Sequence, residues 1–138
     1  MRSPAELTAA FRANGLKSTP QREAVFRALH ENRTHPTAES VHGAVLAELP
    51  HVSLRTVYQV LNDLAAMGEL LPLDVGTGST RFDPNVEPHH HLVCTGCGKV
   101  RDLYADFRSV RVPPGAEQGF TVDATEVVFR GRCDDCAS

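Results

Sequence analysis

The sequence predicts an α+β fold in two parts: a helical first half, residues 1–84, and a smaller strand-forming second half, residues 85–138. Apolar residues recur at helical spacing in the first half and stop doing so near Gly68. After the linker that runs from Pro84 to Pro88, β-branched residues dominate short runs that are typical of strands. The four cysteines all lie in the second half, as two Cys-x-x-Cys pairs.

The composition is that of a water-soluble globular protein. Of the 138 residues, 41% are hydrophobic and 22% are charged, and no apolar run reaches the roughly 20 residues that cross a bilayer. The N-terminus also lacks the apolar core of an export signal. We therefore expect a cytoplasmic protein whose cysteines are reduced thiols rather than disulfides. The net charge is −3, so any binding to nucleic acid must depend on locally placed arginines.

Four helices are predicted in the first half. Each follows a residue that favours the N-cap position, in order Ser3, Thr19, Thr37 and Ser53. Pro4 and Glu6 complete a capping box at the first of them. The predicted buried faces carry apolar residues at helical spacing: Leu7, Ala10 and Phe11; Val25, Phe26 and Leu29; Val41, Ala44 and Val45; Val57, Leu61 and Leu64.

A two-stranded hairpin is predicted to follow the fourth helix, with strands at 69–75 and 79–83 joined by Gly76-Thr77-Gly78. Three helices, a fourth helix and a hairpin form a winged helix-turn-helix domain, in which the fourth helix enters the DNA major groove. Any exposed helix looks similar, so this helix alone does not separate DNA contacts from solvated residues. The candidate DNA-binding residues on it are Arg55, Thr56, Tyr58 and Gln59.

The second half is predicted to be a small α/β dimerisation domain whose sheet pairs across a homodimer. Strand-like runs occur at 91–93, 100–103 and 125–130. Phe120 and Phe129 are predicted to lie in its core.

The two cysteine pairs, Cys94/Cys97 and Cys133/Cys136, predict a structural zinc site. Glycines beside the first pair allow the sharp turn that points two thiolates at one ion, and two such turns close a tetrahedral all-sulfur shell. Buried core cysteines or a redox dithiol are the alternatives. A redox motif is normally single and stands at the start of a helix, a feature that we do not expect here.

Three consecutive histidines precede the first cysteine pair on a predicted strand. Side chains alternate along a strand, so His89 and His91 should share one face and His90 the other. With Asp83 and Asp102 nearby, the pair predicts a mixed nitrogen and oxygen site suited to Fe(II), Mn(II) or Zn(II). Such a pair can also be an ordinary surface feature.

These motifs together resemble the ferric uptake regulator family, over nearly the whole chain from Leu16 to Cys136. The motifs that match are His89-x-His91-x-x-Cys94-x-x-Cys97-Gly, Cys133-x-x-Cys136, His35-Pro-Thr-Ala-Glu and Ser53-x-x-Thr56-Val57-Tyr58. The resemblance implies a metal-dependent repressor that binds operator DNA as a homodimer, with structural Zn²⁺ on the four cysteines. The regulatory Fe²⁺ or Mn²⁺ would be held by His35, Asp83, His89, His91 and Asp102.

The resemblance is strongest to the peroxide-responsive repressor branch, particularly its actinobacterial catalase regulators. Asp83 stands where iron- and zinc-sensing relatives typically have glutamate. The branch implies that hydrogen peroxide is sensed through metal-catalysed oxidation of His35 or His89. Thr125 replaces a histidine that many iron and zinc sensors use in an additional site, so a third metal site is not expected.

Three alternatives compete with this interpretation. A repressor that responds to iron or another divalent metal, without sensing peroxide, would share most of these residues. A zinc hydrolase or deaminase would need HExxH, or HxE with PCxxC, and neither motif occurs. No catalytic residue is therefore predicted. A zinc-ribbon interaction module would account for the cysteines but not for the histidines and aspartates.

Overall fold

The computed structural model describes residues 1–76 and 78–137, which form two compact units, Met1–Glu87 and Pro88–Ser138. The first unit contains α1 (Pro4–Ala13), α2 (Pro20–Leu29), α3 (Ala38–Leu46), α4 (Leu54–Ala66), β1 (Leu71–Leu73) and β2 (Arg81–Asp83). The second contains β3 (His90–Cys94), β4 (Val100–Leu103), β5 (Val128–Gly131) and the short helix α5 (Asp134–Ala137). None of the helices described in either unit is long and apolar enough to span a bilayer.

The four predicted helix starts are confirmed. The hydroxyl of each capping residue accepts a hydrogen bond from the backbone N–H three positions later, and α1 has the full capping box. Each such bond satisfies a backbone donor that the helix itself leaves without a partner, a contribution of about 1 kcal/mol per cap. Local chemistry therefore sets where α1 to α4 begin.

The core of the first unit is formed by the predicted apolar faces of the four helices, except that Ala44 of α3 is exposed and Ala10 of α1 is only partly buried. Phe11 and Phe26 meet edge to face with ring centroids 4.9 Å apart, and Leu61 and Leu64 of α4 are fully buried beside them in the same cluster. Because α4 commits one face to this cluster, Arg55 on its other face is exposed.

The hairpin connects to the loop before α3 as well as closing on itself. Strands β1 and β2 pair antiparallel, with Leu71 opposite Asp83. Phe82 is buried in the helical core, and its backbone N–H donates to Pro36 O at 2.9 Å. The end of β2 is therefore fixed against the His35 loop. Thr77 of the predicted turn lies outside the described residues.

The second unit is built on a three-stranded sheet in the order β4-β3-β5. Strand β3 pairs antiparallel with β4 and parallel with β5. The predicted third strand is shorter than expected at its start: it begins at Val128 rather than at Thr125.

The prediction that Phe120 and Phe129 lie in a core is wrong. Their side chains are 75% and 46% exposed, because the described residues from 104 to 127 form no helix or strand that could cover the outer face of the sheet. Phe129 packs on Phe107 in a tilted arrangement, with ring centroids 5.7 Å apart.

Candidate metal centres and nucleic-acid interface

The four cysteines converge within the second unit. Cys94 ends β3 and Cys97 follows in the adjoining turn, while Cys133 directly precedes α5 and Cys136 lies within it. Their sulfur atoms all lie within 4.8 Å of one another, and Cys97 Sγ is 3.8 Å from Cys133 Sγ. A Cβ atom on Gly96 would stand 3.1 Å from Cys136 Sγ, so the close approach of the two turns favours glycine at that position.

Backbone amides support negative charge in this cluster. The N–H groups of Cys133 and Cys97 point at Cys94 Sγ, at 3.3 and 3.5 Å, and they lower the pKa of Cys94 to about 6. Hydrogen bonding to the other three sulfurs, first to Cys133, raises the pKa of Cys136 to about 12. The lowered pKa of Cys94 favours a thiolate at that position, and four thiolates held this close together would need a cation to offset their mutual repulsion.

An all-sulfur tetrahedral shell is the arrangement that structural zinc prefers, and this cluster fits it. Our expectation that no helix starts at a cysteine pair is wrong, since α5 begins directly after Cys133. The four-residue helix brings Cys136 back towards Cys94 rather than isolating one pair. The redox-dithiol interpretation is disfavoured because both pairs contribute to one cluster.

In the first unit, the structure brings His35 and Asp83 together. His35 Nε2 lies 3.2 Å from Asp83 Oδ2, and both side chains are buried. His35 has a φ of 55°, a left-handed conformation that is uncommon for a residue with a side chain. Its carbonyl accepts a hydrogen bond from Arg81 Nη1 at 3.0 Å. Sequence reasoning missed this role of Arg81, because the contact joins residues far apart in the chain.

In the second unit, the structure brings His89, His91 and Asp102 together. Cross-strand pairing places His91 opposite Asp102. Asp102 Oδ1 lies 2.9 Å from His89 Nε2 and 3.7 Å from His91 Nε2, and the two imidazole rings are 4.6 Å apart. The predicted alternation is seen in His90, the middle histidine, whose ring packs on Phe107 instead, at a centroid distance of 4.7 Å.

These donors fit a transition-metal ion. Two ligand atoms about 2.1 Å from one ion lie roughly 3.0 to 3.5 Å apart, close to the separations within each unit. His91 is 1% exposed, which excludes the interpretation of a surface histidine pair. Burying imidazoles and carboxylates is costly unless they are paired or bind a cation. The set of nitrogen and oxygen donors suits Fe(II), Mn(II) or Zn(II).

Besides Asp102, a second carboxylate contacts the histidine pair and was not anticipated. Glu126 Oε1 lies 2.9 Å from His91 Nδ1. Glu126 reaches this position because the segment before β5 runs beside β3. The sequence did not predict this contact because a parallel pairing between strands more than thirty residues apart has no local sequence signal.

The candidate DNA-binding residues lie on the outward side of α4. Arg55 and Gln59 are exposed, whereas Thr56 is half-buried and its backbone N–H donates to Ser53. The Tyr58 hydroxyl donates to Glu39 Oε1 at 3.2 Å, and this hydrogen bond raises the pKa of Tyr58.

A groove of about 440 Å³ adjoins the same side of α4 and includes two basic residues, Lys17 and Arg22, together with Thr56 and Gln59. The Arg22 guanidinium stacks over the ring of Phe11, 5.6 Å from its centroid, and donates to the carbonyl of Lys17. Two basic side chains therefore lie beside α4, although the net charge of the chain is −3.

Residues 13–129 match the model of the ferric uptake regulator family. The chain belongs to the ferric uptake regulator family. A peroxide-responsive repressor, PerR, of Staphylococcus aureus (strain Mu50 / ATCC 700699) is 33% identical over 132 residues, which cover 95% of this chain and 89% of the relative.

Two solved structures agree with this fold. The ferric uptake regulator Fur of Helicobacter pylori superposes with a TM-score of 0.76 at 24% identity, over 97% of this chain and 91% of the other. The Campylobacter jejuni peroxide stress regulator superposes with a TM-score of 0.63 at 28% identity, over 99% and 100%. The predicted α+β fold class is thereby confirmed.

Proposed function

We propose that this member of the ferric uptake regulator family is a metal-dependent transcriptional repressor that binds operator DNA as a homodimer and senses hydrogen peroxide. The observation that carries the proposal is the set of imidazoles and carboxylates withdrawn from solvent. His35 and Asp83 lie in the first unit, and His89, His91 and Asp102 lie in the second unit. Because its proposed target is operator DNA, the protein would function in the cytoplasm.

The two metal centres have different roles in this proposal. Zn²⁺ on the four cysteines would hold β3, β4 and α5 together, and a shell of four protein ligands leaves no open position for a reactant. Its binding free energy would be part of the folding free energy of the unit.

The regulatory centre would couple metal binding to DNA binding. One Fe²⁺ or Mn²⁺ ion shared by His35, Asp83, His89, His91 and Asp102 would restrict the two units to one relative orientation. In a dimer, that orientation sets the spacing between the two copies of α4, and half-site spacing decides whether both reach the major groove. By linkage, operator DNA would then raise the affinity for the ion by the same factor.

Peroxide sensing is the more specific part of the proposal. An Fe²⁺ ion held by these residues would supply the redox chemistry that breaks the O–O bond of hydrogen peroxide, while the two electrons would come, in net, from a histidine ligand. One oxygen atom would end on the carbon of a ligand imidazole, at His35 or His89, and the other would leave as water, so that the histidine is oxidised by two electrons. An oxidised imidazole is a poorer ligand, and loss of the ion would release the repressor. Asp83 and the similarity to PerR of S. aureus support this branch.

DNA contacts are proposed for Arg55, Thr56, Tyr58 and Gln59, and Lys17 and Arg22 extend the same side. Arginine can read a guanine edge or bind a phosphate, whereas the tyrosine hydroxyl reaches phosphate.

The test uses the zinc-containing protein loaded with Fe(II) or Mn(II) and a DNA duplex selected on the Mn(II) form from a randomised library. We expect both metals to give a gel shift, and brief hydrogen peroxide treatment to abolish it only for Fe(II). Mass spectrometry should then show one added oxygen on the peptide that contains His35 or His89. A metal-dependent shift with no added oxygen and no difference between the metals would instead indicate a metal-responsive repressor that does not sense peroxide.

A further inference from the structure

We propose that Glu126 is a positioning residue for the regulatory metal: its carboxylate fixes the ring of His91 so that Nε2 presents a lone pair beside Asp102. This inference rests on the proposed regulatory centre and adds a residue outside its ligand set. All the contacts that carry it lie within the second unit.

The tautomer of His91 follows from its neighbour. His91 Nδ1 lies 2.9 Å from Glu126 Oε1, and a carboxylate can only accept a hydrogen bond. The proton must therefore be on Nδ1, and a neutral imidazole then has its lone pair on Nε2. That atom lies 3.7 Å from Asp102 Oδ1, which also lies 2.9 Å from His89 Nε2. Two imidazole nitrogens thus meet around one carboxylate oxygen.

The position of Glu126 is fixed by two hydrogen bonds between the next residue, Val127, and strand β3. The N–H of His91 donates to Val127 O at 3.1 Å, and the N–H of Val127 donates to His90 Nδ1 at 3.0 Å. Residue 126 therefore cannot move along the strand without breaking both bonds. The Glu126 side chain is half exposed, at 50%, while that of His91 is 1% exposed, so the carboxylate reaches inward from the surface to one buried ring.

A histidine ligand whose second nitrogen donates to a carboxylate has a fixed ring orientation and a more basic metal-binding nitrogen, and loss of such a carboxylate typically weakens metal affinity 10- to 100-fold. Tyr104, stacked on His89 at 5.7 Å, is the aromatic contact of the other imidazole. We therefore assign to Glu126 the role of orienting His91 through a hydrogen bond, whereas Tyr104 contacts His89 through its ring.

The test compares Glu126→Gln and Glu126→Ala with the matched control Asp123→Asn, which removes a carboxylate three residues away on the same segment. Mn(II) is titrated into the zinc-containing protein, and free Mn(II) is read from its electron paramagnetic resonance signal. We expect roughly 10- to 100-fold weaker binding for both Glu126 variants and an unchanged affinity for the control. At saturating Mn(II) the Glu126→Gln variant should regain the DNA affinity of the wild type.

A second measurement reads the tautomer of His91 directly. Nitrogen-15 NMR of the zinc-containing protein without added Mn(II) should show His91 protonated at Nδ1, and the Glu126→Ala variant should lose this preference. A wild-type His91 protonated at Nε2, or Glu126 variants that bind Mn(II) as tightly as Asp123→Asn, would overturn the assignment. Wild-type protein that binds Mn(II) tightly, with the expected loss in the variants, but shifts no DNA would support the role of Glu126 and contradict the proposed function.

Discussion

The two units are stabilised in different ways. Among the described residues, sixteen of those in the first unit form one buried apolar cluster, whereas the second unit buries only Val93, Cys94 and Val100 as apolar residues. In place of a core, the second unit has His89 and His91 buried on one side of its sheet and four cysteines at its end. A unit of this size generally needs a metal or a partner chain to fold. We therefore expect zinc to be a structural requirement in the second unit and not in the first.

The largest expected effect is loss of zinc. Cys94→Ser should abolish zinc retention and unfold the second unit, because structural zinc contributes on the order of 10 kcal/mol to folding such a site. The first unit should keep its helices and its protected amides. Hydrogen exchange resolved along the chain would measure this, with Thr95→Ser as a control in the same turn. Equal loss of protection in α1 to α4 would contradict the difference between the units.

The converse change tests the apolar core. Leu61→Ala should lower the free energy of unfolding of the first unit by about 2 to 5 kcal/mol, because it removes a fully buried side chain and leaves a cavity. Zinc content should not change. Urea denaturation followed by circular dichroism, with zinc measured in parallel, gives both numbers, and Leu71→Ala at an exposed position of β1 is the control. Zinc release at the same urea concentration as helix loss would show that the two units unfold as one.

The smallest expected effect separates DNA contact from stability. Arg55→Ala should weaken binding to the selected duplex by about 1 to 3 kcal/mol while leaving unfolding and metal affinity unchanged, because Arg55 is exposed on α4. Fluorescence anisotropy at several salt concentrations would show whether the arginine contacts phosphate, in which case the salt dependence also falls. Arg108→Ala, which removes an exposed arginine of the second unit paired with Asp106, is the control for lost charge. Equal loss of affinity in both variants would exclude a specific role for Arg55.

Local signals accounted for most of the first unit. The capping residues and the apolar spacing gave the four helices, because a helix start depends on hydrogen bonds within four residues. In the second unit, apolar character alone did not predict the burial of Phe120 and Phe129. Residues 104–127 supply no layer over that face of the sheet, so burial there depends on what else covers it.

The sequence by itself determined the cysteine pairs, the alternation of the three histidines and the order of helices and strands, because each depends on spacing over a few residues. Only the tertiary structure decided that Arg81 fixes the backbone of His35, that α5 turns Cys136 back on Cys94, and that Glu126 meets His91. These contacts join residues from 35 to 46 positions apart in the chain, and no local pattern specifies pairings over such distances. The ligand types could thus be read from the chain, whereas the groups that orient them could not.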